Sequence, residues 1–305
     1  MSDDTRRPRV CIGLPVYNGQ AYLRSEVESL LAQSFGDFEL RISDNASTDG
    51  TEDLCRELAA LDRRIRYDRQ RRNIGAAANF NLLARECRSP YFMWAAHDDV
   101  HGPEFIERCV GLLDRDPSLV AAHTGSRVID ASGKLVPERA REFDHRLAAS
   151  RPSERLRLVV DAEYFPEIYA LFRTDVLQRT RLMEPHIGAD RILMAHVLLR
   201  GDIGYAPEPL FLRRAHPGAF VASCKNDTER LQWWAPDSLL PVALASAPAK
   251  LWGYLRSTAV ACPGVAERLR CVGVIASWAG RKGFRRLRGS GPPVGVPPPG
   301  ARPAS

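Results

Sequence analysis

The sequence predicts an α/β protein built on a doubly wound, mainly parallel sheet flanked by helices, with a helical extension C-terminal to it. Three observations carry this expectation. Apolar runs alternate with helix-spaced segments from residue 10 to residue 129. One such run, residues 91–96, ends in His97-Asp98-Asp99, at the strand end where open α/β sheets bind ligands. A chain of 305 residues, 45% hydrophobic and 26% charged, is long and apolar enough to bury a sheet of that kind.

The elements follow in order. Residues 10–14 are an apolar run ended by Pro15 and read as a strand, and residues 20–32 carry helix spacing through Tyr22, Leu23, Val27, Leu30 and Leu31. Residues 38–43 are a second strand. Residues 49–61 are helical, with Ser47 and Thr48 as candidate caps. A short strand at 65–68, a helix at 76–87, a strand at 91–96 and a helix at 103–114 opened by Pro103 come next. Residues 119–129 form a strand, closed by the turn Asp130-Ala131-Ser132-Gly133-Lys134. Beyond it the pattern is less regular: helix at 152–161, short apolar segment at 169–173, amphipathic helix at 190–200 and short strand at 210–214. Residues 227–288 read as helices bearing Trp233, Trp234, Trp252, Tyr254 and Trp278, and from Ser290 the Pro/Gly-rich composition predicts disorder. This divides the chain into a domain at 1–222, a helical extension at 223–288 and a tail at 289–305.

Composition narrows the function classes. Seven cysteines, odd in number and without a CxxC pair, favour neither a disulfide framework nor a zinc site and suit a reducing, cytoplasmic setting. The N-terminal residues lack an apolar signal segment, and no apolar run approaches the ~18 residues of a membrane span. The net charge of +6 is mild and suits acidic partners such as nucleotides. Without clustering or a nucleic-acid-binding motif it does not predict nucleic-acid binding.

The residues that carry chemistry stand at strand ends. Pro15-Val16-Tyr17-Asn18-Gly19 follows the first strand and fits a nucleotide base, although taken alone a plain strand-to-helix turn is the simpler account. In Ser43–Thr51, Asp44 at the strand end suits a nucleobase N–H or ribose hydroxyl, while Asp49 and Thr51 suit a helix start. Asn73-Ile74-Gly75 precedes an alanine-rich helix start ending in Asn79, which fits either a ligand's close approach or tight packing on the sheet. It has neither the glycine spacing of a dinucleotide fingerprint nor a P-loop lysine. Asp98 and Asp99, as paired hard oxygen donors, suit Mg²⁺ or Mn²⁺ holding a diphosphate.

Taken as a series, the Asp44–Thr51 segment, the Asn73–Asn81 segment and His97-Asp98-Asp99 resemble the family 2 glycosyltransferases, inverting enzymes of the GT-A fold, over roughly residues 8–216. The resemblance implies a nucleoside-diphosphate sugar donor and a hydroxyl acceptor on a glycan, lipid-linked sugar or small molecule. It implies that Asp44 contacts the nucleobase, that Asp98 lies near the ribose or sugar, and that Asp99 ligates the metal. His97 stands where many relatives carry the first acid of a DxD motif. By position Asp190, in Gly188-Ala189-Asp190-Arg191, resembles the catalytic base, though an Asp at a helix start is also a good cap. His216 is a candidate metal ligand or diphosphate contact, and Arg213 and Arg214 are candidates for neutralising phosphate charge. The basic run at 281–288 suggests peripheral contact with anionic lipid, against the plainer expectation of a solvated tail. A sugar nucleotidyltransferase and a non-catalytic nucleotide-sugar-binding protein are the alternatives.

Overall fold

A computed structural model describes residues 7–137, 149, 151–162, 165–219 and 223–287, with side chains as far as Arg281. The tail at 289–305, and the basic run beyond Arg281, lie outside the described residues and side chains.

The first half alternates as its pattern predicts: β1 (Val10–Val16), α1 (Leu23–Leu31), β2 (Phe38–Asp44), α2 (Thr51–Leu61), β3 (Ile65–Arg69), α3 (Ala76–Glu86) and β4 (Tyr91–Trp94). Then come β5 (Val100–His101), α4 (Phe105–Arg115), β6 (Leu119–Ile129), α5 (Pro152–Asp161), a 3-10 turn (Pro166–Tyr169), β7 (Leu171–Arg173) and α6 (Thr174–Gln178). The chain continues through α7 (Ala189–Leu198), β8 (Asp202–Arg214), α8 (Asp227–Trp234), α9 (Ala247–Ala261) and α10 (Val265–Leu287).

One eight-stranded sheet has the order β3-β2-β1-β4-β7-β6-β8-β5. β1, β2, β3 and β4 pair in parallel, as do β6 and β8. β1 and β4 are buried along their whole length, as continuous apolar strands covered on both faces must be. Alternation splits their side chains between two cores. Val10, Ile12 and Leu14 join α1, α2 and α4 on one face, while Cys11, Phe92 and Trp94 join α3, α5, α7 and the C-terminal helices on the other.

The sheet is more mixed than a doubly wound one. β7 lies between β4 and β6 and is antiparallel to both, and the two-residue β5 pairs antiparallel with the end of β8. The last strand is also longer than its sequence suggests, running thirteen residues rather than only 210–214. Pro207 and Pro209 each lack an N–H and read as breakers. The ladder absorbs them in register irregularities between Thr124 and Ser126. There the carbonyls of Pro207 and Glu208 come so close to Gly125 that a Cβ would stand 2.7 and 3.0 Å from their oxygens. Likewise β1 continues through Pro15 to Val16, since its partners there lie in β2 alone.

Candidate functional site

The carboxyl ends of the parallel strands open into a cavity of about 820 Å³. The end of β1 and the turn after it supply Pro15, Tyr17 and Asn18, the loop after β4 supplies His97, Asp98 and Asp99, and the end of β8 and the residues after it supply Arg213, Arg214 and His216. Asp190, at the start of α7, lines the same cavity.

Two loops are locked to each other before any ligand arrives. Asn18 adopts a left-handed φ of 53°, and its side-chain oxygen accepts the Thr48 N–H at 2.8 Å while its own N–H donates to the Ser47 hydroxyl at 2.9 Å. Asn45 and Asn73 are joined side chain to side chain at 2.9 Å, and each caps a neighbouring backbone N–H, Ile74 and Gly75 respectively. Asn79 lines the cavity, but its amide is occupied by the hydroxyl and carbonyl of Ser43 at 2.6 and 2.8 Å. Asn18, Asn73 and Asn79 therefore shape the floor through their side chains.

Two assignments of ligand contact need correction. Asp44 is fully buried and is not among the cavity-lining residues. Its oxygens accept from the Ser47 N–H at 2.8 Å and the Tyr67 hydroxyl at 2.9 Å, with Arg69 at 3.5 Å. It holds the β2–α2 turn in place of a nucleobase. Gly75, with φ of 82°, does admit a close approach, but of the protein's own chain: a Cβ there would overlap Pro236 and stand 2.9 Å from the Trp234 carbonyl. Asp49 has the structural role expected of it, accepting from the Thr51 N–H at 3.0 Å.

The acidic pair is asymmetric. Asp99 is 4% exposed, and its Oδ1 accepts the Arg214 N–H at 2.9 Å. Burial, with Asp98 beside it, holds its carboxyl well above the usual carboxylate range. Asp98 accepts from His216 Nε2 at 2.8 Å. Burial pushes the Asp98 carboxyl up, but the His216 bond and the charge of His97 more than reverse it, so it lies below the usual range. The His216 ring in turn sits 4.6 Å from that of Tyr22.

Arg214 lines the cavity and also has a structural role. Its guanidinium donates to the Asp98 carbonyl at 2.8 Å, reaches the carbonyls of Asp130 and Ala131 at 3.4 Å, and lies 4.8 Å over the Tyr22 ring. At 5% exposure it fastens the acidic loop to β8. Arg213 lines the cavity and is more open to it.

Asp190 is not the N-cap of α7. Gly188 holds that position in the left-handed region, and the cap makes no side-chain hydrogen bond. Among the described residues no hydrogen bond engages the Asp190 carboxylate, which leaves it available to the cavity.

The far wall was not visible in the sequence. Arg230, Gln232, Trp233 and Trp234 of α8 line the cavity, facing Phe165 and Tyr169. Trp234 is fixed by its indole N–H on the Glu184 carbonyl at 2.9 Å, and Trp233 stacks beside it at 5.9 Å, 40% exposed. The sequence placed Trp233 and Trp234 on a C-terminal helix, and the tertiary fold brings that helix across Gly75.

The acidic pair suits a divalent metal in one particular mode. No three His, Cys, Asp or Glu side chains among the described residues are grouped to cage an ion. Mg²⁺ and Mn²⁺, however, are commonly held by one or two carboxylates together with substrate phosphates. A buried carboxylate lifted by a neighbouring one is the kind of group whose charge such a cation offsets, so Asp98 and Asp99 fit that mode. His216, the other candidate ligand, lies beside the pair with its Nε2 2.8 Å from Asp98.

Comparison with known proteins follows the same lines. The family described as glycosyl transferase family 2 matches residues 11–180. An uncharacterized glycosyltransferase of Rickettsia typhi is 27% identical over 243 residues, which is 76% of this chain and 72% of that protein. The chondroitin synthase of Escherichia coli is 36% identical over 131 residues, 43% of this chain but 19% of its own length. Among solved structures, S. aureus TarS 1–349 in complex with UDP-GlcNAc aligns with a TM-score of 0.67 at 16% identity, over 92% of this chain and 74% of that one. The mannosyltransferase PcManGT of Pyrobaculum calidifontis, in complex with GDP-Man and Mn²⁺, aligns with a TM-score of 0.52 at 17% identity, over 93% and 84%. At these identities the structural likenesses speak for the GT-A fold.

Proposed function

Because the chain belongs to glycosyl transferase family 2, we propose that it moves a sugar from a nucleoside-diphosphate donor to a hydroxyl acceptor in one inverting displacement. The observation that carries this reading is the position of Asp190: its carboxylate, without a hydrogen bond among the described residues, faces the same cavity as Asp98 and Asp99. In the displacement Asp190 accepts the acceptor hydroxyl proton as that oxygen attacks the anomeric carbon. The bond from that carbon to the diphosphate oxygen breaks, through an oxocarbenium-like transition state. Negative charge gathers on the leaving diphosphate, and Arg213, on the cavity wall beside the acidic pair, offsets part of it. A divalent ion held by Asp98 and Asp99 supplies further neutralisation of that leaving group when bound. Tyr17, Pro15 and the Asn-locked loops form the donor end, and Trp233 and Trp234 the acceptor end.

On this reading residues 1–222 are the transferase domain, and the extension at 223–288 completes its acceptor wall. A reducing, cytoplasmic setting accords with seven free, buried thiols. No helix among the described residues is long and apolar enough to cross a membrane, so membrane contact through the basic C-terminal run belongs to the proposal as a peripheral one.

The test is donor turnover with a panel of UDP-, GDP- and dTDP-sugars plus Mn²⁺ or Mg²⁺. Nucleoside diphosphate release or donor-dependent thermal stabilisation, abolished by EDTA and by Asp99→Ala, supports the reading. Formation of nucleotide-sugar from nucleoside triphosphate and sugar phosphate, without transfer, would replace it with a nucleotidyltransferase.

A further inference from the structure

α7 links two cavities. Asp190 at its start lines the one already described, while Leu199, Arg200 and Gly201 at its end line a second, of about 680 Å³. Ten residues of helix put the two ends roughly 15 Å apart. The second cavity lies where α5, β7, α6 and the α9–α10 junction converge, and four arginines line it: Arg155, Arg173, Arg179 and Arg200. Asp202 is the one acid among the described residues that line it.

Arg155, Arg173 and Arg200 each make contacts to uncharged groups. Arg173 donates to the carbonyls of Leu119 and Leu113 at 2.7 and 2.6 Å and of Asp116 at 3.1 Å. Arg200 meets His196 Nε2 at 3.1 Å, and its Nε is buried without a hydrogen-bond partner in the structure. Arg155 donates to the carbonyls of Leu198 and Ala149 at 2.6 and 2.9 Å. Arg179 pairs with Asp175 at 3.3 Å, but both side chains are more than 60% exposed, where such a pair is weak. Asp202 is turned to the Ile203 N–H at 2.8 Å.

Helix capping accounts for part of this arrangement. Arg155 reaches the last carbonyls of α7 and Arg173 those of α4. Burial, joined by Arg200 and Arg256, pushes the His196 imidazole down to about 4.

We propose that this second cavity is a binding site for a phosphoryl-bearing anion. Guanidinium forks match phosphate oxygens in geometry and charge, four arginines line this cavity against one acid, and the volume lies in the range of small-ligand sites. The site is distinct from the sugar-transfer cavity and does not depend on the reaction assigned there.

The experiment is calorimetric titration of the full chain with two probes, inorganic pyrophosphate and ADP. It uses the wild type, an R179Q/R200Q variant and an R213Q variant that alters the other cavity. Binding that survives R213Q and weakens roughly tenfold or more in R179Q/R200Q is the expected result. Pyrophosphate binding as tightly as ADP would mark a free-phosphoryl site, and tighter ADP a nucleotide site. Equal binding by wild type and R179Q/R200Q, or no saturable binding of either probe, overturns the proposal. If the double variant does not fold, R179Q alone, an exposed change, is expected to lose several-fold in affinity, and unchanged affinity there counts against the site.

Discussion

Gly75→Ala is the most informative single change, because two other glycines separate its effects. Gly75 has φ of 82°, and an added Cβ would overlap Pro236 Cδ and lie 2.9 Å from the Trp234 carbonyl oxygen. With ψ at 156° this backbone is essentially confined to glycine and costs an alanine about 1–3 kcal/mol. Overpacking against backbone and a proline ring adds about 1–3 kcal/mol. Gly264 has φ of 72° with nothing within 4 Å of the position an alanine methyl would take, so Gly264→Ala carries a positive-φ cost of about 1–2 kcal/mol without the packing one. Gly36 also has nothing within 4 Å and no left-handed φ, so Gly36→Ala should be neutral, or stabilising by about 0.4–1 kcal/mol through the unfolded chain. The expected order of stability loss in urea unfolding is Gly75→Ala, about 2–6 kcal/mol, then Gly264→Ala, about 1–2 kcal/mol, then Gly36→Ala. Gly75→Ala should also displace α8, visible as altered tryptophan fluorescence in the native baseline. If Gly75→Ala is no more destabilising than Gly264→Ala, the close approach of residues 234–236 to the α3 start is wrong, and so is the cavity wall built on it.

Other outcomes are equally specific. Asp190→Asn should lower kcat by about 10²–10⁴ while leaving donor-induced thermal stabilisation intact; retention of near-full transfer removes Asp190 as the base. Asp99→Asn keeps the oxygen that accepts the Arg214 N–H but removes a buried charge, so the metal-free protein should unfold no earlier than wild type while metal-dependent donor binding is lost. A clear fall in the metal-free melting temperature would contradict that account. His196 is 8% exposed with its imidazole at about 4, against 6.5 in the unfolded chain. The unfolded state therefore binds the extra proton between those values, so stability is full above pH 6.5 and falls by about 3 kcal/mol as pH drops toward 4. His196→Gln, which keeps an acceptor for Arg200, should flatten that limb of the stability curve; an unchanged acid limb refutes the assignment.

The strands and the acidic pair were legible because their signals are local. β1 and β4 read as buried strands from their apolar runs alone, and Asp98 and Asp99 follow directly from where β4 stops. β8 was half hidden because Pro207 and Pro209 remove donors that a bulged ladder can do without. Asp44 and Arg214 stood at the expected places in the chain. Their partners, Tyr67 and Ser47 for one and the Asp98 and Asp130 carbonyls for the other, are set by the tertiary fold, and these partners decide whether a polar group faces a ligand or the protein. The wall formed by α8 is brought in by an approach across more than 150 positions, that of Trp234 to Gly75, and leaves no periodic trace.

The placement of β7 constrains the order of assembly. β4 and β6 are joined through a three-residue strand that emerges some seventy-five residues after β4 and forty after β6. Until Leu171–Arg173 is made, Phe92 lacks its cross-strand partner Phe172, and β4 is an open sheet edge. Such long-range closure is slow and leaves apolar surface open to association while it waits. Ribosome-bound chains halted before residue 171 should accordingly be protease-sensitive and chaperone-dependent, and chains extended past β8 should become resistant in one step.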